Sequence, residues 1–104
     1  MRAIELRQLR YYVAVAQAGS FRKAAEELNI SQPPLSVQVR QLEETLGMRL
    51  LDRDAAGVRV TEPGKVFLAH ATEILHRLSR AVAETQRAAA AGSSVLRLGC
   101  VSSG

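Results

Sequence analysis

A mainly α-helical fold is predicted, with three short helices closed by a small β-hairpin and followed by one long helix. Three observations carry this. Apolar residues recur at helical spacing in three runs, separated at Gly19–Ser20 and at Asn29–Ile30–Ser31. After Gly47 the period changes to two short alternating runs around a DAAG turn. Helical spacing then resumes beyond Thr61 and lasts for roughly thirty residues, a span of roughly 45 Å.

The first run, residues 6–18, places Leu6, Leu9, Val13 and Ala16 on one stripe with Tyr12 and Val15 beside it, and Gly19 stops it. Ser20 is a good N-cap for a second helix over residues 21–28, whose buried stripe is Phe21, Ala24, Ala25 and Leu28. The alanines allow another helix to approach closely. Arg22 and Lys23 open this helix and point away from the stripe. Asn29 and Ile30 form a tight corner. Ser31 is expected to cap a third helix, with Pro33 and Pro34 in its first turn, where backbone N–H groups lack intrahelical partners. Its stripe is Leu35, Val39, Leu42 and Leu46. Two helices joined by a short turn, the second with a rigid N-terminus, make a helix-turn-helix.

Residues 49–53 and 58–61 are expected as two strands joined through residues 54–57, and a hairpin directly after such a helix is a wing. The predicted fold is therefore a winged helix-turn-helix over residues 1–61. Thr61 caps a fourth helix over residues 62–91, a linker helix too long for so small a domain to cover. Its apolar side carries Phe67, Ala71, Ile74, Leu78 and Val82, widened by Leu68 and Leu75. Leu68, Leu75, Leu78 and Val82 are the expected dimerisation residues, because an exposed apolar stripe of this length needs a partner. Residues 92–104 read as a hinge and the first strand of a further domain that these 104 residues do not include.

Composition narrows the function without fixing it. The net charge of +4 permits a polyanionic partner, but acidic and basic residues are interleaved. No apolar run is long enough to span a membrane, and residues 1–9 carry no signal-peptide core, so the expected location is cytoplasmic and, for a DNA binder, nucleoid-associated. The single cysteine, Cys100, reads as a small apolar strand residue, with a redox-sensing thiol as the lesser alternative. His70 and His76 lie six residues apart, on different sides of a helix. No phosphate loop or nucleophile elbow is present. Neither catalysis nor a cofactor or metal is expected.

The stretch LRQLRYYVAVAQAGSFRKAAEELNISQPPLSVQVRQLEETLGMRLLDR, followed by GVRVTEPG, resembles the N-terminal half of a LysR-type bacterial transcriptional regulator. The most specific part is AVAQAGSFRKAAEELNISQPPLS with TEPG at the right distance. The match covers residues 6–82, and the terminal LRLGCV is similar to the first strand of that family's effector-binding domain. The resemblance implies that the winged domain binds double-stranded operator DNA and that the long helix pairs antiparallel with that of a second subunit. It further implies a C-terminal domain, absent here, that senses a small-molecule inducer and joins two dimers into a tetramer.

A recognition helix reads base edges with its N-terminal residues in the major groove. Here that tip is Ser31, Gln32, Pro33, Pro34 and Ser36, positions that the resemblance places on the DNA-facing surface. Gln32 has the donor and acceptor to address an adenine edge, and the prolines are suited both to thymine methyls and to helix initiation. Val37 departs from the family pattern, PLSVQ standing where similar proteins carry PLSRQ. Valine cannot make the bidentate contact of arginine to guanine, so a different or relaxed preference is expected there, with Gln38 or Arg40 taking part of the role. Arg22, Lys23, Arg53 and Arg59 are phosphate or minor-groove candidates, Arg53 by its match to the family motif. The alanines of DAAGVRV, where relatives often have another basic residue, predict weaker wing binding. Two alternatives stay open: a protein-interaction module scaffolded by the long helix, and a nonspecific architectural DNA binder. Steep salt dependence separates DNA binding from the first, and competitor DNA separates sequence-specific binding from the second.

Overall fold

A computed structural model describes the backbone of residues 3–96 and the side chains of residues 3–92. The element order is α1 (Leu6–Ala18), α2 (Phe21–Leu28), α3 (Gln32–Leu46), β1 (Leu51–Asp54), β2 (Gly57–Val60) and α4 (Glu62–Leu96).

One core joins these elements. Leu9, Tyr12 and Val15 of α1 meet Phe21, Ala24 and Ala25 of α2 and Leu35, Val39 and Leu42 of α3. Leu50, Leu51 and Ala71 close the cluster. The stripes expected for α2 and α3 are the buried ones, with Leu28 and Leu46 half-buried at their ends. The buried face of α1 is rotated from expectation. Leu6 is exposed, and the polar Gln8 is buried in the same turn, where its Oε1 accepts a hydrogen bond from the Glu5 N–H at 3.2 Å. That bond satisfies an N–H the first turn of a helix leaves unpaired, which makes the burial of an amide tolerable.

The helix ends follow their residue types. Ser20 Oγ accepts from the Lys23 N–H at 3.1 Å. Asn29 closes α2 in the left-handed region at φ 60°. Ser31 occupies the N-cap position of α3, but its side chain makes no capping hydrogen bond, contrary to expectation. A cap side chain accepts from the N–H of the second or third helical residue. Here those residues are Pro33 and Pro34, which have none. The Ser31 hydroxyl is thereby left to other partners.

The wing is an antiparallel pair with Leu51 opposite Val60 and Asp54 opposite Gly57. It starts later than expected because the N–H groups of Leu50 and Leu51 donate to Glu43 Oε2, at 2.8 and 3.1 Å. Asp54 Oδ1 accepts from the Ala56 N–H at 2.9 Å and tightens the turn. Gly57 adopts φ 130°, and a Cβ there would meet the Gly19 carbonyl oxygen at 2.8 Å. The adjacent Val58 N–H donates to that same oxygen at 3.2 Å, tying the wing to the end of α1.

Thr61 links wing and linker. Its Oγ1 accepts from the Gly64 N–H at 3.1 Å and donates to the Arg49 carbonyl at 2.8 Å. Helix α4 then runs 35 residues, about 52 Å at 1.5 Å per residue, and ends at Leu96 rather than near residue 91. The expected hinge at residues 92–94 is therefore helical. Ala88–Ala91 has the highest helix propensity, and a single Gly92 costs only about 1 kcal/mol against alanine, too little to stop the helix. Of the strand expected over residues 95–101, Val95 and Leu96 lie in this helix. The remainder, with Cys100, falls outside the described residues. Among the described residues, no helix is long and apolar enough to cross a membrane.

Candidate nucleic-acid interface

The tip of α3 projects from the core because the core residues Leu35, Val39 and Leu42 lie on its other side. Ser31, Gln32, Pro33 and Pro34 are exposed, Ser36 is half-exposed, and Val37 and Arg40 extend the open face along the next two turns. Val37 is 41% exposed, large for an apolar side chain in a domain whose α2 and α3 core positions are nearly all below one tenth. Val37 therefore lies on the open face of α3 and not in the core. The sequence-derived recognition residues therefore sit together on one surface.

The basic residues divide into two groups. Arg22 is held by Glu26 at 3.1 Å, one turn along α2, and Arg59 is held by Asp54 at 3.1 Å across the wing. Both pairs are exposed, so each is worth roughly 1 kcal/mol or less and a phosphate can displace the carboxylate. Lys23, Arg40 and Arg53 take part in no ion pair among the described residues. Arg53 is positioned by an aromatic ring instead, its guanidinium carbon 4.1 Å from the centroid of Phe21. That contact ties the wing to the first residue of α2. The Thr61 hydroxyl proton is engaged by the Arg49 carbonyl.

Glu43 is a residue that the apolar pattern passed over. It lies four residues after Val39, on the flank of the buried stripe, and a charge there signals a buried partner set. Its carboxylate holds the strand entry through two amide donors. It thereby sets where Arg49 and Arg53 emerge.

The linker residues separate as well. Leu68 and Leu75 pack partly against their own domain's core, whereas Leu78 and Val82 are exposed. The structure adds an open apolar groove of about 570 Å³ beside α4, lined by Leu46, Met48, Val66, Phe67, His70 and Ile74 among others. Sequence reading gave Met48 and Val66 no role, because neither falls on the stripe that faces the core.

Comparison with known proteins agrees with this geometry. The family model described as "Bacterial regulatory helix-turn-helix protein, lysR family" matches residues 6–65, more than half of the chain. This chain belongs to the LysR family. It is 46% identical over 95 residues to the HTH-type transcriptional regulator TfdT of Cupriavidus pinatubonensis, an alignment covering 91% of this chain and 42% of TfdT. It is 44% identical over 100 residues to the HTH-type transcriptional regulator BenM of Acinetobacter baylyi, covering 96% of this chain and 33% of BenM. The chain thus spans less than half the length of these relatives. Among solved structures, the complex of the BenM DNA-binding domain with catB site 1 DNA superposes with a TM-score of 0.80 at 47% identity. That match covers 82% of this chain and 96% of the other. The complex of the CbnR DNA-binding domain with DNA gives 0.77 at 42% identity, covering 82% and 98%. The winged helix-turn-helix with its long C-terminal helix is thus the fold of LysR-family DNA-binding domains, and the relatives are transcriptional regulators rather than enzymes.

Proposed function

We propose that this chain binds double-stranded operator DNA sequence-specifically as a homodimer and regulates transcription, acting in the cytoplasm on the nucleoid. The observation that carries the reading is the α3 tip. Ser31 and Gln32 are exposed beside Pro33 and Pro34, and the prolines leave the Ser31 hydroxyl uncapped while fixing the backbone. A rigid tip with free polar groups suits base edges, and the positive end of the helix dipole suits the flanking phosphates. Arg22, Lys23, Arg53 and Arg59 border it as phosphate contacts, Ser36 and Val37 extend the reading surface, and Arg40 lies exposed beyond them on the DNA-facing side.

Dimerisation is assigned to α4. Ile74, Leu78 and Val82 are 44, 37 and 48% exposed on a stripe that runs beyond the domain. A second copy lying antiparallel covers that stripe and sets two recognition helices on two half-sites. Selection from a random DNA pool tests the whole reading. An interrupted inverted repeat is the expected product, and failure to enrich any sequence, while the chain remains a folded dimer, favours the interaction-module reading.

A further inference from the structure

A pocket of about 340 Å³ opens where the start of α2, the middle of α3 and β1 meet. Its floor is apolar and belongs to the core: Val39 is 1% exposed, Leu51 2% and Phe21 8%. Its other lining residues are three arginines, Arg40, Arg49 and Arg53, and a single carboxylate, Glu43.

The charge balance of this pocket is uneven. None of the ion pairs among the described residues involves Arg40, Arg49 or Arg53. Glu43 brings one negative charge against three positive ones, and its Oε2 is held by the N–H groups of Leu50 and Leu51. Two of the guanidiniums are oriented by neutral groups. Arg53 lies over the Phe21 ring, and Arg49 donates through a terminal nitrogen to the Leu51 carbonyl at 3.3 Å. Stacking one face of a guanidinium leaves its N–H edge free, and that edge matches the oxygens of a phosphate. Three cations around an apolar floor, two of them oriented by groups that do not neutralise them, suit an oxyanion.

We infer that this pocket binds a phosphate, and that its source is one backbone phosphodiester of the bound duplex, with Arg49 as a contact residue in addition to Arg40 and Arg53. The source rests on the DNA-binding reading above. The pocket lies between the basic start of α2, with Arg22 and Lys23, and the wing that carries Arg53 and Arg59. The lining runs from Phe21 at the start of α2 to Arg53 in the wing, so a strand held at both ends would cross it. The contact is to backbone, so it adds affinity without adding sequence preference.

The test uses the 104-residue chain with its Arg49→Gln and Arg49→Lys variants. Duplex affinity is measured across a salt series, and inorganic phosphate is titrated separately while the arginine Nε–H signals are followed by NMR. Loss of one phosphate contact makes the slope of log K against log salt shallower by about 0.9. Arg49→Gln is expected to show this, with affinity falling by the same factor on specific and unrelated duplexes. Arg49→Lys keeps the slope but loses affinity, because it keeps charge without the fork. If Arg49→Gln does not fold, an unaltered affinity in Arg49→Lys overturns the proposal. An unchanged slope in a folded Arg49→Gln variant overturns it directly. If the parent chain binds no duplex, the DNA reading fails on its own. Saturable phosphate shifts at Arg49 and Arg53 then retain the oxyanion pocket, and their absence removes it.

Discussion

The Tyr12 hydroxyl donates to the Gly64 carbonyl oxygen at 2.8 Å, joining the middle of α1 to the first turn of α4 across 52 residues of sequence. The Tyr12 ring meets Phe67 with centroids 5.8 Å apart. One fully buried side chain thus fastens the linker to the domain that carries the recognition helix. The direction in which α4 leaves the domain, and with it the spacing of two recognition helices in a dimer, depends on this joint.

Burial, and secondarily the nearby Glu43 carboxylate, push the Tyr12 hydroxyl up to about 12 from its ordinary 10.0. The raised value means that the folded state holds this proton more tightly than the unfolded chain. Its contribution to stability is complete below pH 10.0 and is lost as pH rises toward 12. Ultraviolet titration is expected to show a tyrosine transition delayed to about pH 12. Tyr12→Phe removes the delayed transition and lowers stability by about 0.5–1.5 kcal/mol in urea unfolding at neutral pH. The absence of any tyrosine transition delayed toward pH 12 contradicts the joint.

Gly64→Ala is expected to destabilise the fold, although alanine is the better helix former by about 1 kcal/mol. A Cβ at Gly64 meets the Leu50 carbonyl oxygen and Val60 Cγ1. The first is backbone and cannot swing aside, so α4 must move away from the wing. A loss of about 1–3 kcal/mol is expected from overpacking, read as a lower melting temperature. An unchanged or higher melting temperature shows that the close approach is absent.

Much of this was legible in the sequence, and the misreadings have physical causes. The stripes of α2 and α3 were read correctly because their small and branched apolar residues coincide with the buried positions. The face of α1 was not, because Gln8 rather than Leu6 is buried, and only a hydrogen bond to Glu5 makes that tolerable. The Ser31 cap was misread since the rule for caps presumes N–H donors that Pro33 and Pro34 lack. The exposure of Ser31, Gln32, Pro33 and Pro34 at the start of α3 was legible by residue type and place. The pairing of Arg22 with Glu26 and of Arg59 with Asp54 was not, being a matter of which rotamers meet.

Gln32→Ala is expected to weaken operator binding by about 1–3 kcal/mol, the range for one good bidentate base contact. Its melting temperature should not fall, because Gln32 is exposed. Val37→Arg, compared with the parent chain in a binding-site selection, is expected to sharpen preference for guanine at one base pair per half-site. Identical selected sites for both chains exclude Val37 from the readout.

Asp54→Asn is expected to strengthen DNA binding modestly. Asparagine keeps an oxygen for the Ala56 N–H, so the turn persists, while the charge that holds Arg59 is removed. An exposed pair is worth at most about 1 kcal/mol, which limits the gain to roughly fivefold. Removing the acid also lessens repulsion of the phosphates, so the gain should shrink as salt rises. Weaker binding by Asp54→Asn shows instead that the pair aims Arg59 at its target.

The two halves of the linker stripe are separable by substitution. Leu68 and Leu75 contact their own domain's core, whereas Leu78 is 37% exposed, farther along α4. Leu78→Asp is therefore expected to abolish dimerisation while the winged domain stays folded. A desolvated carboxylate facing its own copy in a two-fold interface is costly, since neither charge has a partner. Sedimentation at micromolar concentration should give the mass of one chain, with an unchanged near-ultraviolet signal from the buried Tyr12. Operator affinity falls with it, because two half-sites bound by linked domains act at a raised effective concentration that separate chains lack. Leu68→Asp should instead lower the melting temperature, which tells domain packing from subunit contact. A Leu78→Asp chain that still sediments as a dimer places the interface elsewhere, and the groove beside Val66 and His70 is then the surface to substitute next.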